Sequence, residues 1–543
     1  MVSLGKNAKK HEFKIFVIIL SILAGFAYNS YYLFNTYHID DDARQHIFWT
    51  YKFKDKRLFK NDFLVNFFSS PKIAVYGWKA LYYVFSKFFD PLFFSKILPI
   101  FLNIFCVFFV FEIGLKLKDQ QTGFLSAMLF CLCLTRLLQG GFQRSFALPF
   151  FVLFLYCLYE KNFWLCGVSL LLQALFYPPI ILNSLMIIPF IFVKNHTLDI
   201  EIIKKSFFPL FIFCTLAFTI IAYSYLFYRP KFIGNNFSYK EAKTMAEFWE
   251  NGRNAFFNKN PLIFYFGKPF HYTRSGLGIF EKPEFVIVSF LTFMYIFFKK
   301  RKWVFPSIII WLIISSLFLF ILSHIFLFHL YQPSKYTKYT IPLAIVFLLA
   351  YNFPSLSTQS LKKLFVYVSL SFIIASSAVG FLSKKDIDKE KIELYKFLSS
   401  LPNDALIASH PYLANDIPLF SKRSVLVNEE LSIAWYKNYY KEVKSRIYDT
   451  FKVIYAKNLN EAIPIIQKYK ITHIVLSFEY FSSDYLSKEK LYWAPFNDFL
   501  KKLTRKRIFL FADKSAPWIV FSNKKYWVVE TRKIKAAQTQ NAR

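Results

Sequence analysis

Apolar runs with few or no charges recur along this chain from near its start to about residue 383, and a chain so built has to fold across a lipid bilayer. The runs predict eleven spans: Phe13–Phe34, Pro91–Leu115, Gln121–Leu138, Ser145–Tyr159, Phe163–Tyr177, Pro178–Val193, Phe207–Phe227, Phe285–Phe298, Trp303–Leu322, Tyr339–Phe353 and Leu364–Leu382. Hydrophobic residues make up 55% of the 543, with 71 Phe, more apolar side chain than a water-soluble core of this size needs. The expected fold class is a polytopic α-helical membrane protein with a C-terminal extracytoplasmic α/β domain.

Charge placement orients the spans. Lys6, Lys9 and Lys10 precede the first run and Lys14 stands at its very start, a signal-anchor arrangement with the N-terminus inside. Gly25-Phe26-Ala27 weakly resembles a cleavage site, but the apolar run continues past it, so an uncleaved helix is expected. With an odd span count the C-terminal region lies outside. Lys204-Lys205, Lys299–Lys302 and Lys362-Lys363 then all fall inside, as basic short loops should. Ile73–Phe89 is apolar but holds Lys79 and Lys87; it is read as an amphipathic helix along the outer interface, because a crossing there would turn Lys299–Lys302 outward.

This register gives a membrane domain over residues 1–383, with outer loops at 35–90 and 228–284. Residues 384–533 alternate strand-like runs (Ala405–Ala408, Ser424–Val427, His473–Leu476, Arg507–Phe511, Trp518–Phe521, Tyr526–Val529) with helix-like stretches such as Asn460–Lys470, the pattern of an α/β domain. A polar, disordered tail is expected over 534–543.

The net charge of +34 comes mainly from lysine, in a composition also rich in Phe, Ile, Asn and Tyr and poor in Gly. No nucleic-acid recognition motif accompanies it, and basic residues beside spans attract anionic lipid headgroups, so membrane lipids are the expected partner and nucleic acid is not. The 6 cysteines all fall inside apolar runs, so no disulfide is expected, and no zinc-type spacing occurs.

Chemistry concentrates just after the first run, in Tyr37-His38-Ile39-Asp40-Asp41-Asp42-Ala43-Arg44-Gln45-His46. One aspartate there would cap a helix over Ala43–Tyr51. Three adjacent carboxylates repel, which raises the proton affinity of at least one and suits a general base at the membrane surface.

An acidic pair directly after the first span, then an interfacial helix, many spans and a terminal outer domain, resembles the GT-C superfamily of membrane glycosyltransferases. The chain is similar to protein mannosyltransferases and aminoarabinose transferases, whose first outer loop carries an Asp-Glu pair. Asp41-Asp42 stands in that place, with Asp as the second acid. The resemblance implies a GT-C-like transferase in a bacterial cytoplasmic (inner) membrane. It would move a sugar from a polyprenyl-phosphate donor to a glycan, lipid or protein acceptor at the outer face. One of Asp40, Asp41 and Asp42 would deprotonate the acceptor, and the sugar would pass through an oxocarbenium-like state. No cofactor is specified: carboxylates alone can serve, or they can hold a divalent cation.

The leaving phosphate would need cations on the same side. Arg144, in Gln139-Gly140-Gly141-Phe142-Gln143-Arg144, can fork onto a phosphate, with Arg136 nearby at the end of its helix. Snorkelling at a helix end is the plainer account of both. Lys335 and Tyr336, in His329–Tyr336, open the tenth span outside, and Lys335 resembles the basic residue such enzymes place near the lipid phosphate. His46 completes the first-loop candidates. In the second loop, Glu247, Trp249, Glu250 and Arg253 read as helix-like, and His271–Gly278 offers Arg274. Ser409-His410-Pro411-Tyr412 follows a strand, where a lone histidine is most often structural; the C-terminal domain is expected to shape the acceptor path.

Other classes remain open. A lipid-linked polysaccharide polymerase or ligase would share the donor without needing the early acidic pair. A transporter or flippase would carry ionisable residues near the midplane, whereas Glu112, Arg136 and Glu160 lie near span ends. A membrane scaffold would leave the acidic triplet without a reason.

Overall fold

The computed structural model describes residues 2–194, 197–300, 302–330, 332–383 and 388–534. The polar tail lies outside the described residues beyond Ile534, which is itself buried. Arg301 and Tyr331, within the Lys299–Lys302 and His329–Tyr336 runs, also lie outside them, as do the first residues of the C-terminal domain at 384–387.

Each predicted span contains a helix. They run Val2–Phe34, Pro91–Leu117, Gln120–Cys133, Ala147–Tyr159, Phe163–Phe176, Ile181–Ile191, Ile200–Ala222, Pro283–Lys299, Ser307–Ile325, Thr340–Asn352 and Thr358–Ser383. Among the described residues, 5 helical segments are long and apolar enough to cross a membrane: His11–Phe34, Pro91–Leu117, Ile200–Phe227, Ser307–Ile325 and Thr358–Leu382. The other apolar helices are shorter. Exposed side chains such as Phe207, Phe211, Ile321 and Ile374 face outward from the long helices, an apolar surface that lipid covers and water would not.

Several ends differ from expectation, each for a local reason. The helix beginning at Gln120 stops at Cys133, and the chain turns through Thr135–Leu138, so Arg136 stands in a turn and not on a helix end. The helix expected from Phe207 starts at Ile200, because Asp199 caps it by accepting the Ile202 N–H at 3.1 Å. Trp303–Pro306 is extended; Pro306 precedes the helix Ser307–Ile325 and fixes its entry. The stretch Glu247–Arg253 is not a helix: a single turn, Ala246–Phe248, leads into irregular chain.

Ion pairs tie the helix ends expected inside: Lys14 to Glu112 at 2.7 Å, Lys362 to Glu12 at 2.5 Å, and Lys116 to Glu160. At the far end of the first helix, Lys96 instead donates to the carbonyls of Asn35 (2.8 Å) and Thr36 (3.2 Å). The first loop therefore begins on the rim opposite those pairs. Within it, Tyr76–Phe85 is a helix of 10 residues, about 15 Å long and too short to cross a bilayer.

The C-terminal region folds around a 5-stranded sheet. Its spatial order is Ser424–Val425, Leu406–Ser409, His473–Ser477, Tyr526–Glu530, Ile519–Ser522. The first three strands are parallel and the last two add antiparallel. Helices Lys437–Ile454 and Leu459–Tyr469 supply the crossover before His473–Ser477. Arg507–Phe511 is not a strand. The Leu510 N–H is taken by the Ala456 carbonyl at 2.8 Å, and the Phe511 carbonyl accepts from the Trp527 indole at 2.9 Å.

Candidate functional site

Asp40 caps the helix Asp41–Ile47, its carboxylate accepting the Ala43 N–H at 3.2 Å. The plain capping reading therefore holds for this residue. Capping by Asp40 leaves Asp41 and Asp42 in the first helical turn, where the helix dipole favours negative charge. The two point to different partners. Asp42 is paired with Arg144, and Asp41 with Arg44 one turn along its own helix.

Arg144 is presented by a turn that only glycine can make. Gly140 and Gly141 have φ of +89° and +62°, and a Cβ on Gly141 would lie 2.5 Å from the Ser95 carbonyl oxygen. The Gly141 carbonyl is held from the other side by the Tyr82 hydroxyl at 2.8 Å and the Trp78 indole at 3.3 Å. The short first-loop helix thus packs on the turn and fixes its height. Arg144 then reaches Asp42 directly, lies 3.8 Å from Asp40, and stacks over Phe142 at 4.7 Å.

A second cationic group faces it. Lys335 and Lys338 stand 4.9 Å and 5.0 Å from the Tyr272 ring, and the Arg274 guanidinium 5.6 Å. The Tyr272 hydroxyl donates to Gln332 at 2.6 Å, which fixes the ring. Lys338 is neutralised by Glu281 at 2.7 Å. The Lys335 ammonium forms no ion pair or hydrogen bond among the described residues, and it lies against an aromatic face.

The field follows the placement. Burial would raise Asp42, but Arg144, Lys335, His46 and Lys338 outweigh it and hold its carboxyl below the usual range. Burial, with Asp42 and Asp41 beside it, raises Asp40 despite Arg144. Burial lowers Lys335 to about 8, with Arg144 adding to the fall. Lys338 falls to about 7 through burial and the neighbouring Lys335. Burial lowers His46 to about 4, so its imidazole is neutral at pH 7, stacked 5.2 Å from Phe142.

Apart from Lys338, which stands behind Glu281, these groups share one cavity of about 1010 Å³. Of the residues singled out from sequence, Asp40, Asp41, Asp42, His46, Arg144, Arg274, Lys335 and Tyr336 all line it. Arg136 does not: it is half-exposed and lies 3.7 Å from Glu284. The reason is the early end of its helix at Cys133, which carries it away from the Gly140–Gly141 turn. Below the polar rim the wall is apolar, built by Ile181, Leu182 and Leu185 from one membrane helix and Phe218 and Ile221 from the next. Tyr272, Glu281 and Lys338 were not assigned roles from sequence, nor was Glu430, which the C-terminal domain brings into the wall.

No group of three or more His, Cys, Asp and Glu side chains converges as a metal site among the described residues, and a guanidinium occupies the Asp42 carboxylate. The arrangement offers instead a carboxylate pair, an uncompensated lysine and an apolar floor: a place for an anionic headgroup on an apolar tail.

No family model matches the chain, and no curated protein matches it in sequence. Among solved structures it is similar to the archaeal oligosaccharyltransferase AglB from Archaeoglobus fulgidus in complex with an inhibitory peptide and a dolichol-phosphate, with a TM-score of 0.41 at 11% identity over 86% of this chain and 70% of that one. The apo form of the Archaeoglobus fulgidus oligosaccharyltransferase gives 0.39 at 11% identity over the same shares. The same enzyme with Zn and sulfate gives 0.37 at 14% identity, over 86% of this chain and 69% of that one. Likenesses this loose do not fix a function.

Proposed function

We propose that this chain is a membrane glycosyltransferase that moves a sugar from a polyprenyl-phosphate donor to an acceptor hydroxyl. The reading places the reaction at the outer face, with the N-terminus inside and the eleven apolar helices forming the membrane domain. One observation carries it: a single cavity joins the acidic triplet, Arg144, Arg274 and Lys335 at its rim to an apolar wall running down between membrane helices.

The geometry divides the labour. The isoprenoid tail lies along Ile181, Leu185 and Phe218, and the phosphate meets Lys335, whose ammonium makes no ion pair among the described residues. As the bond from sugar to phosphate breaks, negative charge grows on the phosphate oxygen and Lys335 and Arg274 stabilise it. Asp41 takes the proton of the acceptor. It is the most exposed carboxylate of the triplet; its partner Arg44 is shared with Asp416 and Glu430, whereas Asp42 is committed to Arg144 and Asp40 to its helix cap. Asp42 holds Arg144 at the rim.

Purified protein incubated with a panel of radiolabelled polyprenyl-phosphate sugars tests the reading. Transfer by the wild type, lost in Asp41→Asn, is expected. Full transfer by the Asp41→Asn/Asp42→Asn double variant would refute the base.

A further inference from the structure

The helix that carries Asp41 and Asp42 is held from two sides. On the membrane side Arg144 grips Asp42. On the other side the helix is tied to the C-terminal domain by Arg44 and Gln45. Arg44 donates to Asp416 at 2.7 Å and to Glu430 at 3.2 Å, and Gln45 donates to the second Glu430 oxygen at 2.5 Å. That same oxygen accepts from Arg253 of the second outer loop at 3.1 Å. Glu430 is therefore the point where all three outer segments meet, and it is buried in the cavity wall.

The backbone around Glu430 is equally constrained. Its N–H donates to Asn415 at 2.9 Å, and Arg253 also donates to the carbonyls of Glu429 at 2.8 Å and Glu430 at 3.1 Å. Asn254 accepts the Ala434 N–H at 2.7 Å. Two guanidiniums and an amide converge on one carboxylate whose backbone cannot yield. A helix of 7 residues has little stability of its own, so these contacts decide where its carboxylates point.

We infer that Glu430 is a positioning residue for the acidic pair: through Arg44 and Gln45 it sets the Asp41–Ile47 helix, so the C-terminal domain completes the reaction site. This rests on the transferase reading above. A helix released from Glu430 leaves the carboxylates misplaced by an ångström or more. That geometry loss falls on the chemical step, and donor binding on the Lys335 side is spared.

The test uses the full-length protein in nanodiscs, with transfer kinetics and amide hydrogen exchange read on the same samples. Glu430→Ala is expected to lower kcat about 100-fold with the donor KM changed less than about threefold. Exchange should quicken in 41–47 and stay slow in His473–Ser477. Glu430→Gln keeps an acceptor for Arg44 and should recover part of kcat. Glu247→Gln is the control: Glu247 joins the second loop to Tyr440 and Lys444 of the C-terminal domain at 2.8 Å and 2.9 Å without touching Arg44, and should keep kcat. Equal losses from Glu247→Gln and Glu430→Gln would reduce Glu430 to a docking contact and overturn the inference. So would wild-type kcat together with unchanged exchange in Glu430→Ala. If Glu430→Ala also loosens His473–Ser477, the domain has unfolded and Glu430→Gln decides. If the wild type transfers no sugar, the transferase reading fails by itself. The exchange in 41–47 still decides whether Glu430 sets that helix.

Discussion

Arg144 and Asp42 are joined in an ion pair across the cavity rim, one from the turn between two apolar helices and the other from the first outer loop. The pair is half in water on the Asp42 side, so its net worth is modest. Removing the aspartate alone leaves a guanidinium over Phe142 with only the more distant Asp40. A double-mutant cycle over Asp42→Asn and Arg144→Gln is expected to show a coupling of about 1 kcal/mol in thermal unfolding, with the double variant less destabilised than the sum. Strict additivity would mean the two side chains do not act as a pair.

Asp41 and Asp42 are expected to separate in kinetics. Asp41→Asn should reduce kcat by about 100- to 10,000-fold, the range general-base removal covers, with the melting temperature within about 2 °C of wild type. Asp42→Asn should act through Arg144: a smaller loss in kcat accompanied by a rise in donor KM. The reverse ranking, with Asp42→Asn the silent step-breaker and Asp41→Asn mild, would move the base to Asp42.

Much of this was legible in the chain. Charge-free apolar runs are read reliably because a bilayer leaves helices as the answer, and a carboxylate triplet beside one stands out against that background. Arg144 was legible because Gly140-Gly141 marks the turn that presents it. Arg136 misled because the apolar pattern continues through Leu138 while the backbone already turns after Cys133. Glu430 carried no signal at all. Its partner Gln45 lies 385 residues away, and an acidic pair after a strand is an ordinary surface feature until the fold buries it. Arg507–Phe511 read as a strand because its alternation is strand-like; its backbone groups are taken by Ala456 and Trp527 instead of a sheet neighbour.

The Gly141 turn supports the rim without touching substrate, so its substitution tests placement. Gly141→Ala forces a Cβ to within 2.5 Å of the Ser95 carbonyl at a φ of +62°. The turn must shift, and with it Arg144. A loss of about 1–3 kcal/mol in unfolding free energy is expected, with transfer down by 100-fold or so. Gly167→Ala, whose nearest contacts are all with the Phe213 side chain, is the comparison: it should cost stability through repacking while leaving more of the activity. Equal activity losses at the two glycines would remove the special role of the Arg144 turn.

Lys335 gives the rim a pH limit. Burial and Arg144 lower its ammonium to about 8, and Asp42 and Glu281 act against the fall. The sign is fixed by the charge: below 8 the group is cationic and holds a phosphate, and above 8 it is neutral and does not. Phosphate keeps its negative charge across this range, so the donor KM should rise about tenfold between pH 7 and 9. Lys338, lowered to about 7, titrates nearby, but its charge is spent on Glu281. Lys335→Arg separates the two. A guanidinium stays charged throughout, so its KM should be flat to pH 9 whatever Lys338 does. A rise in KM that persists unchanged in Lys335→Arg would assign the limit to another group and remove Lys335 from the phosphate.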